Sequence, residues 1–294
     1  MFKTLFLCLY TNAAFAWGTI GHQTVGEIAE RNLTPNARSA ITSILGAERL
    51  AIAAVWPDDV RDDPDFEVFK PYHYISIDTT DSYDSLPEHS HDPKDSMTVL
   101  TKYPALIKDP KVSRSVKIAA LKYLLHVAGD VHQPMHIGKK SDSGANACMV
   151  IWDKQPFSLH QIWDGKIIDA DIKRLKMENP GIRQYSFIQY ADDIIKNNSP
   201  KDLSLNFSEW IHEGQLLRDG LYPQGLCLRK PNEVSVINDD YKKQSMSLTE
   251  ERLLTGGLRL AALLNDLFKD GIDPGTNDHL TKNQIIDQLS LSNY

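Results

Sequence analysis

Between Ser115 and Val131 the chain carries apolar side chains on almost every face of a helix: Val116, Ile118, Ala119, Leu121, Leu124, Leu125 and Val127. A helix that is apolar all round is a buried one, so this segment must run through the middle of the fold with other elements packed about it. Into this helix the sequence places His126 and Asp130, four residues apart and so on one face. A buried carboxylate facing an imidazole is costly unless it is paired or holds a cation. The central helix therefore brings charge into the core, and the rest of the chain must answer it.

Further histidines follow. His132 and His136 lie in His132-Gln133-Pro134-Met135-His136, where Pro134 ends the helix. His160 and Asp164 repeat the four-residue spacing in Leu159-His160-Gln161-Ile162-Trp163-Asp164. One such pair is usually a hydrogen-bonded surface pair. Two pairs, both set among apolar and aromatic residues, point instead to ligation of a metal such as zinc by imidazole and carboxylate. Upstream, Trp56-Pro57-Asp58-Asp59-Val60-Arg61 sets carboxylates beside an arginine, and Tyr72-His73-Tyr74-Ile75 puts a histidine in what reads as an apolar strand. His89, His91, His212 and His279 fit no such pattern and read as solvated or structural.

The first residues are of another kind. Lys3, the short apolar run Leu5 to Leu9 and Ala14-Phe15-Ala16 have the layout of a secretory signal peptide over 1–16, with cleavage before Trp17. Nothing after the first twenty residues offers the uncharged apolar run of a membrane span. Export predicts a periplasmic or secreted protein, and it leaves two cysteines, Cys148 and Cys227, which pair most simply in an oxidising compartment. Removing 1–16 takes one lysine and leaves 31 basic against 39 acidic residues, a net charge of −8. Such a chain does not grip long duplexes by neutralising phosphates. Nucleic acid remains a substrate only if a small metal site engages it.

No internal repeat, low-complexity tract or interdomain linker interrupts 17–294. Helices are expected from Thr34-Pro35 to Gly46, and over Ser96–Ile107, Ser115–Val131, Ser186–Lys196, Phe207–Leu217 and Leu248–Phe268. Extended segments are expected at Tyr72–Ile77 and Cys148–Trp152, a surface loop over Thr79–Asp95, and a polar C-terminal tail from about 270 to 294. The reading is one mainly α domain with a small β element.

Taken together, Trp17, His22, Trp56-Pro57-Asp58-x-Val60-Arg61, His73-Tyr74-Ile75, His126-x-x-Gly129-Asp130-x-His132-Gln133-Pro134-x-His136, Asn146 and Leu159-His160-x-x-Trp163-Asp164 resemble the trinuclear-zinc nucleases and 3′-nucleotidases. These are the single-strand-specific nucleases of moulds and plants, distant relatives of zinc-dependent phospholipase C. The resemblance runs from Trp17 to about Phe268, where Gly257-Leu258-Arg259-Leu260-Ala261 and Leu264-Asn265 look like the family's C-terminal helix. It implies three zinc ions: one on Asp58, His73, His126 and Asp130; one on the Trp17 amine and carbonyl, His22 and the other Asp130 oxygen; one on His136, His160 and Asp164. It implies Asp58 and Arg61 as catalytic, Arg61 as the phosphate clamp, and Tyr74 and Asn146 as substrate contacts. The implied substrates are single-stranded DNA or RNA and 3′-mononucleotides, cut to leave 5′-phosphate and 3′-hydroxyl ends by a monomeric enzyme. Ser76 and Gly165 depart from residues usual in the family, which leaves base preference open.

Two rivals are weighed on the residues. The phospholipases end their last pair with glutamate, whereas here the pair is His160-x-x-x-Asp164. A purely structural zinc is usually closed and cysteine-rich, and neither Cys148 nor Cys227 lies near a histidine at ligand spacing.

Overall fold

The computed structural model describes residues 17–78, 81–86, 91–199, 203–222 and 235–290. The segment 1–16 read as a signal peptide, Cys227 and His89 lie outside them. Twelve helices are described: α1 (Thr19–Arg31), α2 (Pro35–Leu45), α3 (Leu50–Ala53), α4 (Trp56–Asp59), α5 (Ser96–Lys108), α6 (Arg114–Asp130), α7 (Leu159–Gln161), α8 (Ile167–Glu178), α9 (Phe187–Asn197), α10 (Phe207–Leu221), α11 (Asp239–Leu267) and α12 (Lys282–Leu289). The fold is mainly α, as the sequence implies. No single helix among the described residues is long and apolar enough to cross a membrane.

Local chemistry sets the boundaries. Thr34 caps α2 by accepting from the Ala37 N–H, Pro35 opens it, and Gly46 ends it at φ +71°. Ser113 caps α6 through the Val116 N–H, and α6 then runs almost wholly buried from Val116 to Asp130. It packs against α5, α11, α12 and α4, so the helix that the sequence makes most apolar is the one the others surround. The 29-residue α11 covers its other side together with α1.

The extended segment expected at Tyr72–Ile77 is mostly not extended. Residues Pro64–His73 form a 3₁₀ helix, opened by the Asp63 side chain accepting from the Asp65 N–H, and only Ile75–Ser76 is strand (β1). A side-chain cap and Pro64 at the first turn favour the helical start, a signal outweighed in the sequence by the apolar run that follows. His73 is therefore the last residue of a 3₁₀ turn and not part of a strand. β1 pairs in parallel with β2 (Ile137–Gly138), Ile75 opposite Ile137, and the buried Arg218 of α10 donates to the carbonyls of both Ile77 and Ile137, at 2.6 and 2.8 Å. The remaining strands are β3 (Met149–Trp152), β4 (Gln155–Ser158) and β5 (Ser235–Val236). β3 and β4 form a hairpin whose two turn residues, Asp153 and Lys154, both take left-handed φ; β5 lies parallel beside β3. Within the expected loop Thr79–Asp95, the described residues include a 3₁₀ turn at Tyr83–Ser85.

The C-terminal stretch is not a loose polar tail. The buried Lys117 ammonium donates to the Asp273 carbonyl at 2.7 Å, and the Arg114 N–H donates to the Thr276 carbonyl. α12 then begins with a capping box at Thr281 and Gln284 and inserts a fully buried Leu289 into the main core. Ile285, Ile286 and Leu289 are its whole apolar face, so few residues in a polar stretch that the pattern is easily passed over. Leu289→Ala should therefore cost about 2–4 kcal/mol of stability. Urea unfolding with a loss below about 0.5 kcal/mol would show that α12 is not part of the core.

Candidate metal centre

Three groups of buried donors meet at the C-terminal end of α6. They are His73, His126 and Asp130; His22, Asp58 and His126; and His136, His160 and Asp164. Asp130 is fully buried and stands among them. Its Oδ1 lies 3.3 Å from His22 Nε2, and its Oδ2 lies 3.3 Å from His73 Nδ1 and 3.2 Å from His126 Nε2. The two oxygens of one carboxylate thus address different imidazoles. Asp58 Oδ1 reaches His126 Nε2 at 3.7 Å, so this carboxylate sits with His22 and His126.

The imidazoles are oriented by backbone carbonyls. His126 Nδ1 is 2.7 Å from the Ala54 oxygen, His136 Nδ1 2.6 Å from the His73 oxygen, and His160 Nδ1 2.6 Å from the Gly144 oxygen. A carbonyl can only accept, so each of these nitrogens carries the proton, and the opposite Nε2 presents its lone pair to the centre. Parallel pairing of β1 with β2 brings the His73 carbonyl to His136. Gly144, at φ +62°, stands between Ser143 and Ala145, which also have left-handed φ, and this turn aims its carbonyl at His160. His22 stacks on His126, ring centres 3.8 Å apart, and a side chain at Gly129 would meet His22 Nδ1 at 3.1 Å; only glycine lets the ring lie this close to α6.

In the second pair the four-residue spacing is read correctly but the local structure is not regular. His160 is in α7, whereas Asp164 is in one turn of π-helix, Ile162–Lys166, a form that recurs at functional sites. Asp164 Oδ2 lies 3.4 Å from His160 Nε2, and its Oδ1 accepts from Gln133 Nε2 at 2.7 Å. Gln133 is a functional residue whose role the sequence reading missed. The signal was its place between His132 and His136, but its reach to Asp164, 31 residues on, belongs to the fold.

Among the described residues, both oxygens of Asp130, Asp58 Oδ1, Asp164 Oδ2, His136 Nε2 and both nitrogens of His22 are buried without a hydrogen-bond partner. So many orphaned acceptors in one place are costly, and cations held between them would remove the cost. The electrostatics agree. Burial pulls the His126 imidazole down, but the carboxylates of Asp130 and Asp58 outweigh it and raise it to about 9. Burial, with the neighbouring carboxylates of Asp58 and Asp130, pushes Asp164 up to about 8 against the pull of His160 and Gln133, and burial aided by His126 pulls His22 down to about 4. The donors are nitrogen and oxygen only, matching divalent cations of the zinc type.

Trp17 is fully buried beside this centre. Its indole N–H donates to the Gly129 carbonyl at 3.0 Å, and the Gly18 N–H donates to the Asp164 carbonyl at 2.6 Å. His132, by contrast, joins none of the groups; it packs on Trp210 behind the centre. His91 lies against Tyr83, His212 is half-buried on α10, and His279 is exposed.

The centre opens into a cavity of about 780 Å³ whose lining includes Arg61, His73, His136 and His160 together with Asp78, Tyr83, Asp92 and Asp95. Tyr74, 42% exposed, Ser76, Lys140 and Asn146 also line it. Asn146 Nδ2 donates to the Ser143 carbonyl, so it shapes the turn as well as facing the cavity. Burial holds the His136 and His160 imidazoles below their ordinary value, and the charge of Arg61 adds a smaller push in the same direction.

With this geometry established, comparison with known proteins is decisive. Residues 17–269 match the model of the S1/P1 nuclease family. The chain belongs to this family. It is 32% identical to Nuclease S1 of Aspergillus oryzae over 85% of this chain and 91% of that protein. Endonuclease 4 of Arabidopsis thaliana is 26% identical, covering 90% and 94%, and Nuclease P1 of Penicillium citrinum is 23% identical, covering 85% and 97%. As a member of the S1/P1 nucleases the chain is an enzyme, a hydrolase.

Two outcomes are expected. Asp130→Asn should lose more bound metal than His136→Asn, because it touches two groups rather than one; elemental analysis finding equal losses would show that Asp130 does not serve both. Asp95, raised to about 6 by burial, binds protons more tightly folded than unfolded, so its contribution to stability is full below pH 4 and disappears as pH rises through 6. Asp95→Asn should flatten this part of the stability-against-pH curve; an unchanged curve would place the titration elsewhere.

Proposed function

We propose that this S1/P1 nuclease is a zinc-dependent phosphodiesterase acting on single-stranded DNA or RNA and on 3′-nucleotides, breaking the P–O3′ bond to leave 5′-phosphate and 3′-hydroxyl ends. The observation that carries the reading is the meeting of three His/Asp groups beside a cavity of about 780 Å³, which His73, His136 and His160 line together with Arg61. Zinc held there would supply Lewis acidity and a bound water of lowered pKa. The resemblance assigns Asp58, His73, His126 and Asp130 to one ion, Trp17, His22 and Asp130 to a second, and His136, His160 and Asp164 to a third. The carbonyls of Ala54, His73 and Gly144 fix which imidazole nitrogen is free to ligate.

The remaining tasks fall to side chains of the cavity. Arg61 clamps the phosphate and balances charge that grows on its oxygens. Tyr74, exposed on the wall, offers its face to a nucleobase, a contact every base can make. Asn146 stands where it can hydrogen-bond to substrate while bracing its own turn. A cavity of about 780 Å³ has room for a nucleotide splayed out of its strand, which fits a single-stranded substrate.

Export completes the enzyme in this reading: a signal peptide over 1–16 is removed, the protein is released to the periplasm or beyond the cell, and the Trp17 amine becomes a ligand. The burial of Trp17 against Gly129, and a family match that begins at Trp17, support the cut at this place. Before the cut that nitrogen is an amide with no lone pair for a metal. Cys148, fully buried, is the member of the proposed Cys148–Cys227 disulfide that the described residues include.

Two measurements test this function. Wild-type protein should release phosphate from 3′-AMP and cleave single-stranded DNA while sparing phosphatidylcholine; the reverse would establish the phospholipase. A form with one extra residue before Trp17 should keep its helical circular dichroism, bind one zinc fewer and lose most activity. Three zincs and full turnover in that form would exclude the α-amino ligand.

A further inference from the structure

Behind the metal centre lies a buried ionic cluster that the proposed chemistry does not use. Arg252 and Arg259 stand two turns apart on α11, 3% and 1% exposed. Both meet one carboxylate, Glu213 of α10. Arg259 grips it with two hydrogen bonds of 2.7 Å, and Arg252 Nη1 reaches it at 3.1 Å. Two buried guanidiniums gathered on one half-exposed carboxylate, with Glu251 adding its charge near Arg252, make an expensive arrangement for stability alone, since apolar residues of similar size would serve a core as well.

What the cluster holds explains its place. Arg252 Nε donates to the His132 carbonyl at 3.1 Å, and Arg259 Nη1 lies 3.3 Å from His132 Nε2. His132 Nδ1 is 2.7 Å from the Ala128 carbonyl and so carries the proton, which leaves Nε2 to accept from Arg259. Burial and the two arginines keep this imidazole neutral. A side chain at Gly256 would meet the His132 ring at 3.2 Å, so α11 is shaped to let the ring lie against it. The next residue, Gln133, accepts from the Met135 N–H through Oε1 and donates to Asp164 through Nε2. His136 follows three residues later.

We propose that Glu213, acting through Arg252 and Arg259, is a positioning residue for the His136–His160–Asp164 metal group. It locks both the carbonyl and the ring of His132, and so fixes the turn from which Gln133 reaches Asp164 and His136 reaches the ion. The inference rests on reading that triad as a metal group. Glu213 is the carboxylate that hydrogen-bonds both guanidiniums and offsets their mutual repulsion; without it the turn they hold loses its anchor.

The test is zinc titration of chelator-stripped protein against a competing chelator, on wild type, Glu213→Gln, Arg252→Lys and Arg174→Met. Arg174 pairs with Asp171, Glu178 and Glu250 around α8 and serves as the control for losing a partly buried ion-pair network. Glu213→Gln and Arg252→Lys should weaken one of three ions about tenfold, in the range seen when groups supporting a ligand are removed. Arg174→Met should keep all three at wild-type affinity while its melting temperature falls. Wild-type affinity at every ion in a folded Glu213→Gln would overturn the proposal, as would an equal weakening of all ions in Arg174→Met. If Glu213→Gln does not fold, Arg252→Lys keeps the charge, loses the Nε contact to His132, and decides the matter alone. A wild-type protein that takes up no zinc would instead refute the reading of the triad.

Discussion

Asp130 is a fully buried carboxylate, neither of whose oxygens has a hydrogen-bond partner among the described residues, and three imidazoles stand 3.2 to 3.3 Å from it. The surrounding structure follows from accommodating it. The helix that carries it is apolar on every other side, which keeps water from the carboxylate and makes ionic partners obligatory. Those partners come from separate parts of the chain: His22 from α1, His73 from the end of a 3₁₀ turn, His126 from one turn back on α6. Of these rings His126 is secured by backbone, through the Ala54 carbonyl, as His136 and His160 are by the carbonyls of His73 and Gly144. A helical scaffold supplies rigid starting points, and the short β1–β2 pair joins the His73 and His136 segments, which helices alone would leave apart.

Much of this was legible in the sequence because the ligand residues are unusual where they occur. A histidine and an aspartate four apart are unremarkable on a surface helix and conspicuous on an apolar one, so His126 and Asp130 announced themselves. The cap of α2 was equally plain, Thr34 standing before Pro35, whereas Asp95 and Ser113, which cap α5 and α6, were not picked out. What could not be read was whatever depends on meeting across the fold. Gln133 finds Asp164, Arg252 finds the His132 carbonyl, and Arg218 ties Ile77 to Ile137; none of these has a local signature. The 3₁₀ turn before His73 was misread because a short apolar run fits strand and buried helix alike. α12 was overlooked because a single face of Ile285, Ile286 and Leu289 hardly raises the apolar content of a polar stretch.

The cavity wall carries both signs: Arg61 lines it together with imidazoles and with Asp78, Asp92 and Asp95. A chain whose formal charge is −7 gathers, beside this cavity, the donors that cations would occupy. The negative balance of the whole therefore says little about the ligand; the sign that matters is local, and bound ions would set it.

The stitch between the Trp17 indole and Gly129 spans 112 residues of sequence, and the Gly18 contact with Asp164 spans still more. The helices can form early, since their contacts are near in sequence, but the edge of the centre closes only when the first residue of the described chain finds partners far downstream. Long-range closures of this kind are slow steps in folding. The scaffold depends on such closures too, since α1 packs on α11 from the far end of the chain; a molecule in which Trp17 had not found Gly129 would keep its local helices and be chemically silent.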